Sequence, residues 1–133
     1  MVYFWMTKKR IFITKNFSRW LNKNDLNTYS LLNAIKEMEG GLIDADLGSN
    51  VYKKRVKLSG MGKRGGARII MATKLLKRWY LIYGFAKNER SNISNDELLS
   101  LQETAKRLLG LSDREIEIAI HAKQLQELKT DEK

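Results

Sequence analysis

Val51-Tyr-Lys-Lys-Arg-Val-Lys-Leu58, Arg68-Ile-Ile-Met-Ala-Thr73 and Trp79-Tyr-Leu-Ile-Tyr-Gly-Phe85 read as three strands, because β-branched and aromatic residues dominate them and the first alternates with a period of two. Short connections make them an antiparallel meander. Between the first two lies Gly60-Met-Gly-Lys-Arg-Gly-Gly66, four glycines in seven residues, which reads as a flexible hairpin loop. It is too short of a P-loop to be one: no Lys-Ser or Lys-Thr closes it, and Arg68 opens a strand rather than a helix. A turn around Lys74 to Arg78 joins the second strand to the third.

Nearly all of the net charge of +10 sits in this region. Residues 51–90 hold twelve Lys and Arg against a single acid, Glu89, whereas residues 1–50 balance at +2 and residues 91–133 at −3. The chain has a localised basic site. One face of the first strand carries Tyr52, Lys54, Val56 and Leu58, and the other carries Val51, Lys53, Arg55 and Lys57. Along a regular strand, Lys53, Arg55 and Lys57 stand about 7 Å apart, close to the spacing of successive phosphates on one nucleic-acid strand. The plainer reading of the same row is a solvated face whose lysines protect an edge from aggregation. The third strand runs into a polar segment, Ala86 to Ser94, which would bring Lys87 and Arg90 beside Lys53, Arg55 and Arg68.

Towards the N-terminus, Arg10-Ile-Phe-Ile-Thr14 reads as a short strand. Phe17, Trp20 and Leu21 then recur at helical spacing, and after Asn24 and Asp25 a second helix carries Leu31, Leu32, Ile35 and Met38 on one side until Gly40-Gly41 ends it. Trp20 reads as core. Gly41 to Gly48 reads as a compact loop that positions the next strand. Its Asp44 and Asp46 lack the remaining ligands of an EF-hand, including the twelfth-position glutamate, so no metal is expected.

Beyond the meander, Ser94-Asn-Asp-Glu97 and Ser112-Asp-Arg-Glu115 are capping boxes. The first opens a helix through Leu98, Leu101, Ala105 and Leu108 to Gly110; the second opens one with Ile116, Ala119 and Ile120 on its apolar side. His121, the sole histidine, reads as a surface or partly packed residue. Gln124 to Leu128 reads as either a final strand or a helical end, and Lys129 to Lys133 as a frayed tail.

The 133 residues suit one domain, with a core over about 9–128 and flexible ends at 1–8 and 129–133. The absence of cysteine removes disulfides, thiolate metal sites and thiol nucleophiles. Met1 to Met6 is too short for a signal-peptide core, and Met6 is an alternative start. No run approaches the roughly 18–20 apolar residues that span a bilayer. A soluble, cytoplasmic protein without a membrane role is expected, the late helices being acidic and the cations lying on strands.

The order strand, two helices, meander, C-terminal helices, with cations on the meander, carries a resemblance. Gly41-Leu-Ile-Asp-Ala-Asp-Leu-Gly48, Tyr52-Lys-Lys-Arg55, Gly62-Lys63, Gly65-Gly66 with Arg68, and Tyr83-Gly-Phe-Ala-Lys-Asn-Glu-Arg90 with Asn92-Ile93 together resemble the RelE-like toxins of bacterial toxin–antitoxin modules, in the RelE/ParE superfamily. The resemblance covers roughly Lys9 to Leu128. It implies an α+β, microbial-RNase-like fold, a cognate antitoxin protein and, for the RelE branch, cleavage of mRNA on the ribosome without a cofactor. Carried over residue by residue, it makes Lys53, Arg55, Arg68, Lys87 and Arg90 the candidate catalytic set. Lys54, Lys57, Lys63 and Arg64 are further candidates for binding RNA.

In that chemistry the 2′-hydroxyl attacks the adjacent phosphodiester, and preorganised Arg and Lys donors stabilise the phosphorane. An arginine holds two phosphate oxygens at once, which suits Arg68. The family pattern would put an arginine at Asn88 and a tyrosine near Ser94, and this sequence has neither. The proton acceptor is therefore open between Glu89, which also suits an ion pair with Arg90 or Lys87, and a lysine whose pKa is depressed by neighbouring cations. A different class of function stays open too: a non-nucleolytic protein of the same fold, either a ParE-like inhibitor of DNA gyrase or an RNA-binding module.

Overall fold

The computed structural model describes residues 9–24, 26–58 and 66–129. The chain runs β1 (Arg10–Thr14), α1 (Lys15–Lys23), α2 (Thr28–Glu39), β2 (Ala45–Gly48), β3 (Val51–Val56), β4 (Ala67–Lys74), β5 (Arg78–Ala86), α3 (Asn95–Leu109), α4 (Asp113–His121) and β6 (Leu125–Leu128). The six strands form one sheet in the order β2-β3-β4-β5-β1-β6. It is an α+β architecture, antiparallel throughout except where β1 lies parallel to β5.

The meander forms as its composition requires, with β3, β4 and β5 paired consecutively. β4 is buried from Ala67 to Thr73, because helices cover the sheet on both sides. On one side α1 and α2 bring Phe17, Leu31, Ile35 and Met38 against Ile69, Met71, Trp79 and Leu81. On the other, α3 and α4 bring Ala105 and Ile116 against Phe12, Ile70, Tyr80 and Ile82. A strand covered on both faces needs apolar residues at every position, and Ile11-Phe-Ile13 meets that need, which is why β1 takes an interior place between β5 and β6.

Each helix starts and stops on the expected chemistry. The Ser94–Glu97 and Ser112–Glu115 capping boxes both form, with side chain and backbone bonded reciprocally. Thr14 and Asn27 cap α1 and α2, and Gly40 closes α2. Trp20 packs against the core beneath β5, where its indole carbons occupy the space above Gly84.

Three expectations change or resolve. Ala45–Gly48 is a strand, not loop: left-handed φ at Gly48, Ser49 and Asn50 reverses the chain and lays the segment along β3. Gln124 to Leu128 resolves as strand, since Leu125 and Leu128 bury on opposite faces beside β1. The β4–β5 turn places Leu75 and Leu76 at φ 60° and 57°, and the Trp79 Nε1 donates to the Leu76 carbonyl at 3.2 Å. The expected glycine hairpin loop, with Lys63 and Arg64, lies outside the described residues, as do residues 1–8, Asp25 and 130–133. Among the described residues, no helix is long and apolar enough to cross a membrane.

Candidate functional site

The site grows from a cross-strand pairing that folding does not favour. Antiparallel register sets Arg55 of β3 directly opposite Arg68 of β4, and Arg68 opposite Phe85 of β5. Like charges directly opposite one another destabilise a sheet. One step along the ladder, Lys53 stands opposite Ile70 and Ile70 opposite Tyr83. A bulge in β5, where Ile70 pairs with Tyr83 but Met71 pairs with Leu81, turns Ile82 and Tyr83 to the same side of the sheet. Tyr83 and Phe85 thereby join the cations of β3 and β4 on one face, their rings 6.3 Å apart.

Arg68 and Arg90 are each held by a carboxylate from a distant part of the chain. Asp44, immediately before β2, forms an ion pair with Arg68, its Oδ2 3.2 Å from Nε, and lies 4.0 Å from Lys53 Nζ. The side chain of Arg68 is only 10% exposed, so this partner matters to its placement. Arg90 leaves the end of β5 and folds back over it. Its guanidinium lies 5.7 Å from the Phe85 centroid, donates from Nη1 to the Tyr83 hydroxyl at 3.0 Å, and grips both carboxylate oxygens of Glu97. Lys87 continues the ladder through its backbone bond to Gly66, and its Nζ donates to the Ser91 carbonyl at 2.9 Å.

The structure therefore brings Lys53, Arg55, Arg68, Lys87 and Arg90 to one end of one sheet face. Arg55 and Lys57 are exposed and have no ion-pair partner among the described residues. Glu89 is exposed in the turn after β5, and among the described residues its carboxylate meets neither Arg90 nor Lys87.

Lys54 does not belong to this set. Strand alternation points it to the opposite face, where it is 5% exposed and its Nζ bonds Glu37 of α2 at 2.9 Å. A lysine so placed pairs across the seam between α2 and β3, away from the cationic face, because α2 covers that side of the strand.

Sequence reasoning also missed participants. In the sequence Asp44 reads as part of a loop without a metal set and Glu97 as a helix cap; in the structure both hold site arginines. Among the described residues no cluster of His, Asp and Glu suits a metal ion. Glu97 serves two partners at once, since its Oε1 also accepts the Ser94 amide at 2.7 Å. The Arg90 guanidinium, followed by the Ser94 amide, holds its carboxyl far below the usual range, from 4.5 down to about 2.

A carboxylate whose pKa falls on folding contributes stability that is fully present above its unfolded value and is lost as pH falls through the folded one. Glu97→Gln keeps the cap geometry and removes the charge. Acid unfolding of this variant is expected to be shallower than wild type between pH 4.5 and about 2. Superimposable acid limbs would show that the Arg90–Glu97 pair contributes nothing to the fold.

A search of curated proteins returned no match. A family model described as the RelE toxin of the RelE/RelB toxin–antitoxin system matches residues 9–128, the same span that runs from the start of the sheet to its last strand. With the match extending over nearly the whole chain and over every residue of the cationic face that the structure describes, the chain belongs to the RelE toxin family, the toxin half of a toxin–antitoxin pair.

Proposed function

We propose that this toxin is an endoribonuclease that cuts messenger RNA on the ribosome. The observation that carries the reading is the direct opposition of Arg55 and Arg68 across the β3–β4 ladder, a costly arrangement that a polyanion would relieve. Tyr83, half-buried beside them, offers a face for a base to stack on.

In this reading, Lys53, Arg55 and Lys57 position the sugar-phosphate backbone along β3. Arg68 keeps its Nε on Asp44, which orients the fork, and presents Nη2 to the phosphate. The 2′-oxygen bonds to phosphorus, the P–O5′ bond breaks, the departing 5′-oxygen takes a proton from solvent, and the products are a 2′,3′-cyclic phosphate and a 5′-hydroxyl end. Arg68, with Arg90 and Lys87, stabilises the charge that builds on the phosphorane oxygens. For the proton of the 2′-hydroxyl, Glu89 is the acceptor, because it is the one site carboxylate not committed to an arginine among the described residues: Asp44 holds Arg68 and Glu97 holds Arg90. The cognate antitoxin silences the toxin by covering this face.

The test is to induce the chain in bacteria and map new 5′ ends on a translated message and on an untranslated version of it. New 5′-hydroxyl ends confined to the translated message are expected. Growth arrest without new ends would overturn the nuclease reading and favour a non-nucleolytic toxin, for which Asn88 and Ser94, in place of the family's arginine and tyrosine, would then be the sequence reason.

A further inference from the structure

The cationic meander accounts for most of the net charge, but a second group of cations lies outside it. Three open cavities of ≈310, ≈510 and ≈650 Å³ line up across the molecule between α1 and the α3–α4 pair. They are continuous: Thr14, Asn16 and Thr104 line both the first and the second, and Lys15, Arg19 and Leu125 line both the second and the third. The first cavity begins at Tyr83 and Glu97, the two residues that hold Arg90. The groove thus opens at the candidate site and leads away from it to the β6 edge.

Its charge is one-sided once existing pairs are removed. Glu97 is paired with Arg90, and Glu117 and Glu127 are both paired with Arg10. Lys15 and Arg19 from α1, Lys123 before β6 and Lys129 after it have no ion-pair partner among the described residues, and Arg107 of α3 touches only the Thr104 hydroxyl of its own helix. These cations come from three separate parts of the chain, so their convergence is a product of the fold. The N-terminus of α1 also points its partial positive charge to this groove, and its first turn holds no acid.

We infer that this groove is a second binding track for RNA, taking the sugar-phosphate backbone of the same strand whose scissile phosphate lies on the β3–β5 face. The inference rests on the RNA reading of that face. Charge complementarity and continuity with the site select a polyphosphate strand over an apolar peptide. The track lengthens the contact and draws the strand past Tyr83.

The measurement is binding of 2′-O-methyl RNA, which cannot be cut, to the full chain and to the triple variant Lys15→Ala, Arg19→Ala, Lys123→Ala. All three side chains are exposed and none belongs to the catalytic set. Two oligonucleotides are compared, one of about three nucleotides that fits the site alone and one of about twelve that also reaches the groove. The triple variant is expected to lose at least about tenfold in affinity for the long RNA, with the slope of log affinity against log salt reduced by about 2, while short-RNA affinity is unchanged. Equal affinity and equal slope for the long RNA would overturn the track and leave the site reading standing. Failure of the wild-type chain to bind the long RNA would also overturn the track, whereas the site reading stands or falls on the new 5′ ends of translated messages. Unchanged thermal unfolding of the triple variant excludes loss of fold as the cause.

Discussion

Arg68→Ala is expected to lower message cleavage by roughly 10²–10³-fold while the chain stays folded, the cost of removing one preorganised donor from an oxyanion-type site. The argument rests on geometry. Arg68 is held on Asp44 by Nε at 3.2 Å and stands opposite Arg55, so its remaining donors are set before any substrate arrives. Truncation removes the donor and leaves Asp44 with Lys53, 4.0 Å away, as its remaining cation. The local charge balance therefore survives, and the fold is expected to survive with it. Arg68→Lys separates charge from shape, because a lysine supplies a positive point but neither the two-pronged grip nor the Nε pairing with Asp44. Its cleavage should lie between that of Ala and wild type. The frequency of new 5′ ends per translated message, measured beside thermal unfolding of each variant, decides the matter. A folded Arg68→Ala that cuts at the wild-type rate would remove Arg68 from the chemistry.

Gly84→Ala should cost about 1–3 kcal/mol, a drop of roughly 4–11 °C in the unfolding midpoint for a chain of this size. A Cβ at this position would lie 2.5–2.7 Å from three carbons of the Trp20 indole, far inside van der Waals contact. The indole is a rigid ring packed against the core, so the overlap is relieved only by moving α1 or bending β5. In a Trp20→Leu background the clashing carbons are gone, and the same substitution should be close to neutral. Thermal unfolding of the two single variants and the double variant measures this coupling. Additive losses would mean that Gly84 is required for its backbone rather than for the room it leaves. Because Gly84 sits beside Phe85, a β5 bent by the added methyl would also disturb the site face.

Gly84 and Trp20 illustrate how the sequence and the tertiary structure divided the work. Trp20 was legible as core from its spacing with Phe17 and Leu21, but nothing in that spacing named the glycine beneath it. The same holds at the site. The period of two in β3 separated Lys53 and Arg55 from Lys54, since alternation is a property of local backbone geometry. Which of those faces α2 would cover was not local, and that coverage is what buries Lys54. Asp44 and Glu97 were visible as acids near turns, yet their bonds to Arg68 and Arg90 depend on strand register and on where α3 begins. β2 escaped notice because Ala45–Gly48 lacks strand-forming residues; it is a strand through its pairing with β3.

By itself, the sequence determined the three-stranded meander, the helix caps and the concentration of charge in residues 51–90. All of these follow from interactions between residues near one another in the chain. The tertiary structure alone decided that Arg55 opposes Arg68, that Asp44 before β2 and Glu97 of α3 hold Arg68 and Arg90, and that cations of α1, α3 and the flanks of β6 line one groove. Those contacts join residues far apart in sequence, and their free energy exists only once the sheet register and the packing of both helical layers have brought the partners within a few ångströms of each other.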